Sequence, residues 1–132
     1  MSERGSIVPW LAALFFVGFV VLGLALDVAL FAATYREAAF AADAGAEAGA
    51  ARIDPRSVYE GVTTPDRTAA VRAAETGALD ARPRPARRAT ARINGRAVCV
   101  TVVDRYEPRL AALLGLATES VSATACATPA KG

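Results

Sequence analysis

The chain contains no histidine, and that absence removes a good deal of chemistry at once. No imidazole is present to act as a general base, to complete a nucleophile–base pair or to bind a transition metal. Its two cysteines, Cys99 and Cys126, are too few to hold a metal without histidine partners. One structural disulfide is the better use for them, and it fits an oxidising compartment. No glycine-rich phosphate cradle appears, and the serines have no base near them in sequence. Scattered carboxylates such as Asp54 and Glu60 read as solvated groups. The composition thus points away from an enzyme and names no cofactor and no small-molecule substrate. Fourteen of the fifteen basic residues are arginine, and alanine is very frequent. Both read as genomic base composition more than as function.

Charge is also missing from one long stretch. Ile7 to Leu26 is a run of 20 residues without a charged side chain. As a helix it spans roughly 30 Å, the hydrocarbon thickness of a bilayer. Asp27 interrupts the run, Val28–Ala33 is apolar again, and Arg36 and Glu37 mark an aqueous setting. The expectation is one transmembrane helix. A cleaved secretory signal fits less well, since its apolar core is normally about 7–15 residues with a small-x-small site soon after. The first clean Ala-x-Ala here, Ala39–Ala41, lies well past the run. A short tail with Arg4 favours a cytoplasmic N-terminus and an extracytoplasmic C-terminal domain.

Leu11 to Ala44 contains no proline, so the helix should run on as a rod to about Ala51, where Ile53-Asp54-Pro55 ends it. Along that rod, residues 41–50 read AADAGAEAGA. Ala38, Ala41, Ala42, Gly45 and Gly49 share one helical face, with Arg36, Asp43 and Glu47 opposite. Gly45-x-x-x-Gly49 is a small-xxx-small spacing, which lets another backbone approach closely. Either this chain's own sheet packs there or a neighbouring subunit's helix does. Asp27 falls on the same face as Gly45. It either marks the outer interface of the Ile7–Leu26 span, or the span sits further along and Asp27 meets a cation from a partner.

Downstream, Thr64-Pro65-Asp66 predicts a helix start with Thr64 as N-cap, and the helix should close near Thr76 with Gly77 just past its end. Asp80–Arg88 reads as a proline-punctuated linker. Asn94-Gly95 predicts a type I′ hairpin between Ala89–Ile93 and Arg96–Val103. Pairing Ile93 with Arg96 sets Ala91 opposite Val98 and Thr90 opposite Cys99. Pro108 should open a short helix through Leu110, Leu113 and Leu114, closed near Gly115. A last strand, Glu119–Thr128, puts Val121, Ala123 and Ala125 on one face and Ser122, Thr124 and Cys126 on the other. Cys99 and Cys126 then share the polar face of the sheet, as a disulfide between neighbouring strands requires. The resulting fold class is α+β: a long N-terminal transmembrane helix continuing into a small extracytoplasmic domain with a second helix and a three-stranded antiparallel sheet. The divisions are a cytoplasmic tail (1–6), the transmembrane and membrane-exit helix (7–52) and the outer domain (53–132).

Arg82, Arg84, Arg87 and Arg88, continued by Arg92 and Arg96, form a basic run with no acid among them. It is a candidate site for an anionic ligand, or else a solvated linker and exposed strand face. The absence of interleaved aromatics argues against nucleic acid.

ERGSIVP, an apolar span ending in LALDVALF, and AADAGAEAGA together resemble the N-terminal region of TadE/TadG-like proteins of the Tad (Flp) pilus machinery. The corresponding positions are Arg4-Gly5, Asp27, Ala41–Ala44 and Ala48–Ala50, so the resemblance covers about the first 52 residues. It implies a non-enzymatic minor pilin or membrane-anchored assembly component of a pilus or related secretion system. Its partners would be other pilus or assembly proteins, met through the N-terminal helix and the outer domain. TadE-like pseudopilins carry a glutamate five residues past a peptidase site that follows glycine. If Gly5–Ser6 were that processing site, the fifth residue would be Trp10, which places this start nearer the TadG-like pattern. The alternative function is a stand-alone, membrane-anchored cell-envelope binding module that uses the arginine run on an anionic ligand.

Overall fold

A computed structural model describes residues 7–130; Gly5 and Ser6, the candidate processing site, lie outside them. One helix, α1 (Ile7–Ala50), is 44 residues long and is apolar and long enough to cross a membrane. At 1.5 Å per residue it is a rod of about 66 Å. Two further helices follow, α2 (Pro55–Tyr59) and α3 (Arg67–Ala81). Strands β1 (Arg88–Asn94), β2 (Ala97–Tyr106) and β3 (Glu119–Ala127) form an antiparallel sheet in the order β1-β2-β3. A 3₁₀ turn, Ala111–Leu114, lies between β2 and β3 and closes at Gly115, whose φ of 83° is the left-handed conformation glycine adopts freely. This is the α+β architecture expected.

The core is thin and lies only along the second half of α1. Ala38, Ala41, Ala42 and Ala46 meet Ala70, Ala74 and Ala78 of α3, and the sheet adds Val98, Val100 and Val102. Three valines and Asp104 are the largest fully buried side chains. With so little side-chain bulk, contact is made by bringing backbones together. A Cβ on Gly45 would lie 2.6 Å from the Ala74 carbonyl oxygen, and one on Gly49 would lie 2.8 Å from the Ala74 Cβ.

Three expectations change. Asp66, not Thr64, caps α3: its carboxylate accepts from the N–H groups of Thr68 and Ala69, both at 3.1 Å. The chain from Arg52 to Asp66 is instead tied down by Asp54 N–H to the Thr64 carbonyl and Asp66 N–H to the Arg52 carbonyl. Second, α3 runs through Gly77 to Ala81. Gly77 is not a terminator there, because its missing side chain makes room for Ala48, whose Cβ would be 2.8 Å from an added methyl. Third, the hairpin turn is Gly95-Arg96, one residue later than expected. Asn94 pairs with Ala97, Ala91 with Val100, and Arg92 with Cys99. A type I′ turn on Asn94-Gly95 needs a positive φ at both residues. Gly95 at 61° has one, and no non-glycine residue among those described does. The faces are unchanged, because moving the turn by one residue shifts each pairing by two.

Candidate functional site

The small-residue face of α1 is occupied by its own chain. Ala38, Ala41 and Ala42 are fully buried and Gly45 and Gly49 are buried, against α3 and β2. Arg36, Asp43 and Glu47 are exposed on the other side. The close-approach surface is therefore an intramolecular seam in this half of the rod.

Asp27 continues that seam toward the N-terminus, and it is 5% exposed. Buried positions on α1 run Gly23, Asp27, Thr34, Ala38, which is one face at helical spacing. The Asp27 carboxylate meets no cation among the described residues. Its Oδ1 accepts from the Arg109 N–H at 3.0 Å. Its Oδ2 accepts from the N–H groups of Leu110 at 3.0 Å and Ala111 at 2.6 Å. The Tyr106 hydroxyl donates to the Asp27 carbonyl oxygen at 2.8 Å. Phe31 meets the Tyr106 ring edge-on, with centroids 5.5 Å apart. A carboxylate on one helix thus satisfies the otherwise orphaned N–H groups that begin the 3₁₀ turn. Asp27 links the apolar helix to the end of β2 and to the Leu-rich segment. The sequence offered neither Tyr106 nor the 109–111 backbone as its partners. Main-chain donors carry no residue signature, so this contact is invisible to motif reading.

The arginine run does not present one cationic surface. Arg87 is buried, and this corrects its assignment to an anion-binding set. Its Nε donates to Asp104 Oδ1 at 2.9 Å, Nη2 to Asp104 Oδ2 at 2.6 Å, and Nη1 to the Arg82 carbonyl at 2.6 Å. This bidentate pair holds the Arg87 guanidinium above its ordinary pKa, through the hydrogen bonds to Asp104 against the cost of burial. Arg82 and Arg84 both pair with Glu37 of α1, and Arg82 also lies over the Phe40 ring at 5.9 Å. Arg88 and Arg92 stay exposed on the outer face of β1, and Arg96 donates to the Thr63 carbonyl.

Cys99 and Cys126 are directly opposite on β2 and β3 and form a disulfide, with Cα atoms 4.0 Å apart. Asp54, read as a solvated carboxylate, caps α2 by accepting from the Arg56 N–H at 2.9 Å. Among the described residues, no three histidine, cysteine or carboxylate side chains gather where they could hold a metal ion.

The first half of α1 differs from everything else in the molecule. Its phenylalanines, leucines and valines stand exposed, Phe15 at 78% and Phe19 at 75%. Between Ile7 and Leu26 only Gly23 is buried, beneath the Leu110 side chain. No protein-family model, no curated protein and no solved structure matches the chain.

Proposed function

We propose that the protein is a single-pass, membrane-anchored, non-enzymatic component of a Tad/Flp-type pilus or related secretion machine, of the TadE/TadG-like kind. The observation that carries the anchored part of this reading is the division of α1 into a bare apolar half and a half sheathed by the chain's own α3 and sheet; the pilus part rests on the resemblance of the first 52 residues. An isolated soluble domain would not leave some 20 residues of apolar helix uncovered, because that surface is costly in water. In a bilayer the same surface is at home, and it is free to exchange lipid for the helix of a neighbouring subunit. The Arg4-side terminus is then cytoplasmic, and the disulfide-bonded domain lies outside, where thiols oxidise. The rod is held upright against its own domain, as a subunit that docks on others through both parts requires.

The test is a photoreactive amino acid in place of Phe16, activated in the cells that make the protein. The expected adduct is a pilin or an inner-membrane pilus-assembly protein, with the chain found in the membrane or sheared-fibre fraction. Adducts to lipid alone, unchanged when the pilus genes are removed, would overturn the pilus assignment and leave a stand-alone anchored module. That rival reading has less support, since Arg82, Arg84 and Arg87 already have acidic partners within the chain. Intact mass from the native membrane settles processing separately: loss of Met1–Gly5 would mean cleavage at Gly5–Ser6.

A further inference from the structure

The segment from Leu110 to Thr118 reads LAALLGLAT, nine residues without a charge, between Arg109 and Glu119. Leu113 is 81% exposed, Leu114 66% and Leu116 60%. A loop on the water side of a domain this small has no reason to display three leucines. Their position along the molecule supplies one. Leu110, Leu113 and Leu114 line a groove with Phe15, Phe16, Phe19, Val20, Gly23 and Leu24 of α1. From Asp27 to the middle of that stretch is about eight residues of helix, roughly 12 Å along its axis. The 3₁₀ turn therefore folds back from the domain alongside the bare half of the rod.

We infer that Leu110–Leu116 is a second membrane-seated element, a leucine wedge lodged among the acyl chains of the outer leaflet beside α1. This rests on α1 being the membrane span. The wedge surface is continuous with the exposed apolar surface of that helix, and charged Glu107, Arg109 and Glu119 flank it where the chain re-enters the headgroup region. Tyr35, 50% exposed and about 12 Å along α1 beyond Asp27, stands on the side where aromatic rings favour the interface.

Non-helical backbone enters hydrocarbon only if its polar groups are satisfied. Here they are. Asp27 accepts from the N–H groups of Arg109, Leu110 and Ala111. The Leu113, Gly115 and Leu116 N–H groups donate to the Leu110, Ala112 and Ala111 carbonyls. Gly23 lets the Leu110 side chain lie flat on the helix. Asp27 is then the group that allows the loop to sit in lipid.

The experiment is spin-label depth measurement on the full chain in phosphatidylcholine/phosphatidylglycerol vesicles, with labels on Leu113→Cys, Phe19→Cys and Thr90→Cys in separate samples under non-reducing conditions. The expected result is that the Leu113 label collides with dissolved oxygen in preference to an aqueous nickel chelate, as the Phe19 label does. The Thr90 label should show the reverse. In an Asp27→Ala background, Leu113 should shift toward the aqueous ratio while Phe19 holds. An aqueous Leu113 with an immersed Phe19 would overturn the wedge and leave the anchor standing. Aqueous ratios at both would overturn wedge and anchor together. Low collision with both reagents at Leu113 would mean that a second copy of the chain covers it, which overturns the lipid assignment. An Asp27→Ala chain with Leu113 still immersed would overturn the role given to Asp27.

Discussion

Gly18 and Gly49 belong to one unbroken helix, yet a methyl group on the first would meet nothing within 4 Å, and one on the second would lie 2.7 Å from a Val98 methyl. The first half of α1 is bounded by whatever surrounds the molecule. The second half is bounded by the molecule itself. A small residue in a membrane-proximal helix is easily read as an invitation to a partner helix. Here the glycines with the small-xxx-small spacing are filled from within, and the apolar surface still without a partner is bulky, not small.

Four perturbations press on that contrast, in falling order of effect. Arg87→Met should be the most damaging, because it strands Asp104 as a buried unpaired charge, at a cost of about 3–5 kcal/mol. The double variant Arg87→Met/Asp104→Leu should recover most of this in thermal unfolding followed by circular dichroism in detergent micelles. Recovery would show that the sheathed half needs a filled interior more than an ion pair. Replacing Cys99 and Cys126 by serine reopens a loop with a sequence separation of 27, which should cost roughly 3 kcal/mol in the same assay. Gly49→Leu should cost about 1–3 kcal/mol through overpacking, whereas Gly18→Leu should leave unfolding unchanged. Equal effects at the two glycines would erase the contrast altogether. Gly95→Ala should be mildest, about 1 kcal/mol, from placing a side chain at a positive φ.

Where sequence reading succeeded, the periodicity had one physical cause. Alternation along β2 and β3 put Cys99 and Cys126 on one face, and the register sets them directly opposite. Helical spacing grouped Ala38, Ala41, Ala42, Gly45 and Gly49, and all five are buried. It failed where two causes compete for the same residue. Gly77 satisfies a rule for ending helices, but close approach to Ala48 of α1 decides its role. Asn94-Gly95 satisfies a rule for turns, but only the glycine takes the left-handed conformation, so the turn begins there. Arg87 looked like one member of a basic run. Its difference lies in Asp104, an acid at an inward position of β2, which needs a buried cation and finds it 17 residues earlier in the chain.

The absence of a break in α1 has a mechanical consequence. Hydrogen bonds to Asp27 grip the helix at one level, and the alanine seam grips it again from Ala38 to Gly49. No swivel lies between the two grips. Each residue of an α-helix advances the azimuth by about 100°, so the bearing of the sheet around the rod axis is fixed by the bearing of Phe15, Phe16 and Phe19 below. Whatever seizes those rings also aims the edges of the sheet. Rotation applied at one end arrives at the other undiminished, and the chain behaves as a keyed shaft rather than a tethered bead.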